Sequence, residues 1–105
     1  MAIGINLKLL RKRLGKSQEE VATDLGLTRS SYSGYENNVA QPNLDSLILF
    51  SDYYRVSIDD LVRKDFEKYK ESEWEKIDKG LSADVKGQKL RVLTAMVDEN
   101  NEDII

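Results

Sequence analysis

Ser17-Gln-Glu-Glu-Val-Ala-Thr-Asp-Leu-Gly-Leu-Thr-Arg-Ser-Ser-Tyr-Ser-Gly-Tyr-Glu36 is the stretch that decides the fold. Ser17 followed by Glu20 makes a capping box, in which hydroxyl and carboxylate each satisfy a free amide at a helix start. Val21, Ala22 and Leu25 form the inner face of that helix, and Gly26 supplies the backbone freedom for a sharp turn. Thr28 is a good N-cap for a second helix, anchored to a core by Tyr32 and Tyr35. Ala22, four residues before Gly26, is small where the two backbones approach. The opposite face then presents Arg29, Ser30, Ser33 and Gly34 near the helix N-terminus. Short polar groups beside one arginine suit a surface that enters a groove.

Helical signals continue on both sides. Ile3, Leu7, Leu10 and Leu14 recur at the spacing of one helix face, ending near Gly15. Asn37 and Asn38 stop the helix that begins after Thr28, because asparagine tolerates the left-handed conformation of a C-cap. A polar loop runs to Pro42. Asn43 caps a fourth helix with Leu44, Leu47, Phe50, Ser51 and Tyr54 expected inward, and Ser57 with Asp60 caps a fifth from Ile58 to Val62. Connections of 2–6 residues are normal for a compact bundle. The predicted fold class is all-α: a five-helix bundle over residues 1–63, followed by a linker or tail over 64–105.

The tail is less regular. Phe66, Tyr69, Trp74 and Ile77 give a broken apolar stripe among Glu and Lys, predicting a helix over 66–79 that packs on something. A lone tryptophan on such a helix covers a core edge or a subunit interface, and the interface is the reading preferred here. Lys89 to Val97 reads as a short strand or hairpin, with a helix from Ala83 to Val97 as the alternative.

Composition excludes several kinds of chemistry. The 105 residues include no cysteine and no histidine, which removes disulfides, thiolate or imidazole metal sites and His-based triads. No apolar run approaches the roughly 20 residues of a membrane span, and no signal-peptide pattern opens the chain, so a cytoplasmic location is expected. No enzyme, cofactor or metal is expected. A net charge of −3 argues against nucleic acid, but residues 1–63 balance 8 Lys/Arg against 8 Asp/Glu, and the excess acid lies in the tail. Lys8, Arg11, Lys12, Arg13 and Lys16 cluster at the start, as a solvated face or an aid to backbone binding.

Residues 3–62 resemble the phage repressor and Cro type of helix-turn-helix domain, the XRE family. The resemblance rests on Leu7, Arg11, Ser17 to Ala22, Leu25 to Thr28, Tyr32-Ser33, Tyr35 to Asn37, Pro42, Leu44, Leu47, Val56-Ser57 and Asp60-Leu61. It implies double-stranded DNA as partner, with Arg29, Ser30, Ser33 and Gly34 facing bases. Gln18, Thr28, Ser31 and Asn37 take positions that contact phosphates. Arg11 and Glu36 match an ion pair tying the first helix to the recognition helix. Asn38 replaces the usual glycine of the family, and Gly34 replaces a longer polar residue.

Members of this type act as homodimers on palindromic operators, and the tail from Asp65 onward is the expected site of dimer contacts. The implied function is a dimeric transcriptional repressor. Two alternatives share the fold: an antitoxin that autoregulates its operon while its tail grips a toxin, and a protein-interaction adaptor. Lys86 to Thr94 together with Asp98 to Ile104 resembles the connector of longer XRE repressors that continue into a LexA-like, self-cleaving peptidase domain. That likeness implies a fragment or natural truncation, as against a small regulator with its own dimerisation tail.

Overall fold

Local chemistry starts and stops each helix in the computed structural model, which describes residues 3–80. Helix α1 (Ile3–Leu14) ends at Gly15, whose φ of 76° lets the chain reverse. Helix α2 (Gln18–Leu25) opens with the reciprocal Ser17/Glu20 box: the Glu20 amide donates to Ser17 Oγ at 3.1 Å and the Ser17 amide to Glu20 Oε1 at 2.8 Å. It closes at Gly26 with φ 72°, where the Leu27 amide donates back to the Ala22 carbonyl at 2.8 Å. Thr28, Asn43 and Ser57 cap α3 (Arg29–Glu36), α4 (Leu44–Tyr54) and α5 (Ile58–Arg63) in turn. A 3-10 turn (Phe66–Lys68) and a helix over 71–80, α6, follow. Among the described residues the secondary structure is entirely helical.

One apolar cluster joins these elements. Leu7 and Leu10 of α1, Val21 and Ala22 of α2, Tyr32 of α3, Phe50 and Tyr54 of α4 and Leu61 of α5 are all buried. Helix α1 packs on α3, α5 and the 3-10 turn, while α2 lies against α3 and α4 against α5. The Tyr32 ring meets Phe50 edge-on at 5.9 Å, and its hydroxyl shares a 2.7 Å hydrogen bond with that of Tyr54. Both hydroxyls are pushed well above the ordinary tyrosine range, chiefly because burial disfavours their charged forms.

Two residues depart from the sequence-based reading. Leu44, expected inward, is 64% exposed: it opens α4, whose inner side is filled by Ser46, Leu47, Phe50 and Tyr54. Trp74 lies against its own chain, which is the core-edge reading rather than the interface. Its ring contacts Phe66 and Tyr69 at 5.8 Å each, and the Arg13 guanidinium stands 5.1 Å above it. Arg13 also pairs with Glu71 and Asp78, so α6 is clasped to α1.

Asn6, unnoticed in the sequence, is fully buried. Its Nδ2 donates to the Leu61 and Lys64 carbonyls at 2.8 Å, and its Oδ1 accepts from the Phe66 amide at 3.2 Å. One side chain thus satisfies the backbone at the end of α5 and start of the 3-10 turn. The suggested strand at Lys89 to Val97, and the helix alternative from Ala83, lie outside the described residues.

Candidate nucleic-acid interface

The second and third helices meet across the Gly26 turn, and the exposed start of α3 is the surface of interest. Arg29, Ser30 and Ser31 are exposed there, one residue or more beyond the Thr28 cap. Thr28 Oγ1 accepts the Ser31 amide at 3.1 Å and donates to Ser31 Oγ at 2.9 Å. Ser33 and Gly34 follow one turn on, each half-buried, and Asn37 Nδ2 donates to Ser33 Oγ at 3.1 Å. Hydroxyls are therefore pre-set in direction before any ligand arrives. Arg29 shares an open concave surface with Arg11, Ser17, Gln18 and Glu19.

What fixes this helix is a buried charge. The Glu36 side chain, at the far end of α3, has no solvent exposure. Arg11 Nε donates to Glu36 Oε2 at 2.7 Å and Arg11 Nη2 to Oε1 at 3.1 Å, the two-pronged geometry that suits a carboxylate. Gln18 Nε2 adds a third donor to Oε1 at 3.0 Å, so α1, α2 and α3 converge on one group. Burial opposes ionisation of Glu36, but the hydrogen bonds from Arg11, Gln18 and Tyr32 outweigh it and hold the carboxyl below its ordinary range. Arg11 Nη1 also donates to the Lys16 carbonyl at 2.9 Å, which ties the α1–α2 turn to the same network.

The N-terminal basic cluster is largely spent on the chain itself. Arg11 serves Glu36, Arg13 serves Glu71 and Asp78, and Lys16 pairs with Asp24 at 2.6 Å. Tyr53 donates to the same Asp24 oxygen at 2.6 Å; burial and that carboxylate push its hydroxyl up to about 12. Arg29 thus stands out as an exposed cation at the start of α3.

Sequence reasoning missed Gly4. A Cβ at this position would lie 2.5 Å from the Glu36 carbonyl oxygen and 2.7 Å from Asn38 Oδ1. The start of α1 therefore touches the end of α3 backbone to backbone. No periodicity signals this, because Gly4 occupies a helical position and reads as a weak helix former. Asn38 itself takes the left-handed conformation, φ 58°, and Val39 and Asn38 amides return to the Gly34 and Tyr35 carbonyls at 2.8 and 3.4 Å.

Comparison with known proteins matches this geometry to a family. A helix-turn-helix family model aligns with residues 7–61, more than half of the chain. The transcriptional regulator ImmR of Bacillus subtilis is 34% identical over 82 residues, covering 78% of this chain and 64% of that protein. The phage CTXphi transcriptional repressor RstR of Vibrio cholerae is 33% identical over 61 residues, 58% of this chain and 54% of its own. The transcriptional activator BcrR of Enterococcus faecalis is 37% identical over 59 residues, 54% of this chain and 29% of its own. The chain spans less than two thirds of the length of each of these relatives. No solved structure gives a significant match. Among the described residues no helix is long and apolar enough to cross a membrane. The two capped helices, the glycine turn between them and the family match agree: the chain belongs to the XRE-type helix-turn-helix family.

Proposed function

We propose that this protein is a sequence-specific, DNA-binding transcriptional regulator: a dimeric repressor acting in the cytoplasm on a palindromic operator, with α3 in the major groove. The observation that carries the reading is mechanical. Arg29 and Ser30 project from the exposed first turn of a helix whose other end is locked to α1 and α2 through Glu36. A reader must hold its side chains in fixed register against base edges, and a helix pinned in this way does so.

In that reading Arg29, Ser30, Ser33 and Gly34 face bases, and Gln18, Thr28, Ser31 and Asn37 meet phosphates. Arginine donates two hydrogen bonds to guanine O6 and N7, the strongest discrimination available here. Serine hydroxyls both donate and accept, so they tolerate more than one base. Gly34 adds no reader and leaves room for a thymine methyl or a close approach to the groove wall. Phosphate contacts fix orientation without spelling sequence. The regulator and repressor names of the relatives support transcriptional control, and no catalytic step is assigned.

Selection of duplexes from a random pool, followed by footprinting, tests the proposal. Enrichment of a two-fold symmetric sequence with a guanine contacted by Arg29 is the expected result. A pool that shows no enrichment at low salt would overturn it.

A further inference from the structure

Helix α6 delivers the chain to one end of α4. Gly80, the last described residue, lies against Arg55, the C-cap of α4: a Cβ at Gly80 would stand 4.0 Å from that of Arg55. From that cap α4 runs back with an open outer face. Leu44 is 64% exposed, Ile48 43% and Leu49 41%, and the exposed Asp45 and Asp52 share the same stripe. These two aspartates are the only charged residues of the helix.

The sequence that continues from Gly80 has the complementary pattern. The stretch Lys86-Gly-Gln-Lys-Leu-Arg-Val-Leu-Thr-Ala-Met-Val97 holds Lys86, Lys89 and Arg91 and no acidic residue, together with Leu90, Leu93 and Val97. We infer that residues 86–97 dock on the outer face of α4 of their own chain, antiparallel to it, with apolar residues on Leu44, Ile48 and Leu49 and cations toward Asp45 and Asp52. The spacing fits. In the helical reading of 83–97, Leu90, Leu93 and Val97 share one face. Lys89 placed opposite Asp52 then brings Leu93 to Ile48 and Val97 to Leu44, because both helices advance by four between these positions. The inference concerns a contact inside each copy and is independent of the DNA-reading proposal.

Reach and tethering favour the chain's own segment. From Leu44 to Arg55 the helix rises about 16 Å, and residues 86–97 as a helix rise about 18 Å. Residues 81–85, up to roughly 17 Å when extended, leave room for the reversal at Gly80. A face of this size offers at most a few hundred Å² of apolar surface, whereas a stable complex of separate molecules buries roughly 800 Å² per partner. A short tether presents the segment to its own α4 at an effective concentration on the order of millimolar, so a small contact suffices. Two α4 faces set against each other would instead oppose Asp45 and Asp52 to their like. The far end of the stripe, Leu44, adjoins the loop that joins α3 to α4. Anything that takes up residues 86–97 must first uncover this face.

The test uses the full chain, which has no cysteine, so introduced thiols are the only ones present. Ile48→Cys with Leu93→Cys should close a disulfide within one chain under mild oxidation, read as a monomer-mass band on a denaturing gel. Closure should be at least about tenfold faster than for Glu19→Cys with Leu93→Cys, which places the first thiol on α2. Ile48→Cys alone reports coverage through its rate of labelling by a water-soluble maleimide. Adding Leu90→Ser and Leu93→Ser should raise that rate about tenfold, the factor for about 1.4 kcal/mol of lost docking. Lys89→Glu should also raise it, and Lys89→Glu with Asp52→Lys should bring it back, since the charges are then exchanged across the contact. A labelling rate that none of these substitutions moves overturns the inference. So does a disulfide that joins two chains instead of closing within one, which would seat a second copy's segment on the face.

Discussion

Arg11 and Glu36, 25 residues apart, form a two-pronged pair with Nε to Oε2 at 2.7 Å and Nη2 to Oε1 at 3.1 Å. The carboxylate side is wholly buried and the guanidinium almost so, at 0% and 12% side-chain exposure. Removing one member strands the other, and an uncompensated buried charge costs about 3–5 kcal/mol. Arg11→Ala is expected to lower unfolding free energy by about that amount, measured by denaturant melts at neutral pH. Arg11→Lys should recover only part, since an ammonium cannot reproduce the fork. A loss under 1 kcal/mol would mean that the pair is solvated and does not hold α3.

The same carboxyl gives a pH signature. Its folded value lies below the ordinary 4.5, so its ionised form is favoured more in the folded chain than in the unfolded one. The stability it contributes is complete above about pH 4.5 and is lost as pH falls through the folded value. Glu36→Gln lacks this contribution. The gap between wild type and Glu36→Gln should be widest near neutrality and should narrow on acidification. Parallel stability curves from pH 7 to 3 would count against the assignment.

Gly4 is required for a close approach rather than for a turn. A methyl group there would sit 2.5 Å from the Glu36 carbonyl oxygen, which is backbone and cannot swing aside. Gly4→Ala should therefore destabilise by about 1–3 kcal/mol, the cost of forcing packed elements apart, although alanine is the better helix former. A thermal melt decides the sign. A rise in Tm would show that α1 and α3 separate freely.

Most of the fold was legible because its signals are local. Ser17/Glu20, Gly26, Thr28, Asn43 and Ser57 each act within one turn of themselves, and each marks a helix end in the structure. The long-range features were harder to read. Asn6 looks like a solvent-facing polar residue until Leu61, Lys64 and Phe66 are brought to it from across the chain. Leu44 satisfied the apolar spacing of α4 and is nonetheless exposed, because spacing identifies a stripe but not whether anything lies opposite its first turn. The Trp74 stripe was visible as apolar without revealing that its partner was α1 of the same chain. Arg13 supplies that partner, and nothing near Arg13 in sequence announces it.

Trp74 should behave as a core residue. Truncating a buried aromatic costs about 3–5 kcal/mol, so Trp74→Ala is expected to destabilise the bundle itself. Following amide exchange near Tyr35 in α3 separates two outcomes. Coincident loss across α3 and α6 identifies a single cooperative unit. Loss in α6 with α3 unaffected would show that α6 detaches by itself.

Two substitutions at the proposed interface divide positioning from reading. Arg29→Ala should cost about 1–3 kcal/mol on the selected duplex and relax preference at one base pair, because the lost group is the proposed main base reader. Gln18→Ala should weaken every duplex to a similar degree, since phosphate contacts carry no sequence information. The Gln18 amide is neutral and releases no counterion of its own, so the slope of affinity against salt should be unchanged by its loss. Gln18 also donates to Glu36 at 3.0 Å, and a melt alongside the binding curves keeps that role apart. With Arg11 still holding Glu36, the stability loss should stay near 1 kcal/mol, the usual net worth of one hydrogen bond. If Gln18→Ala instead altered base preference, α3 would be shifting in its groove, and Gln18 would be a brace for the reading helix before it was a phosphate contact.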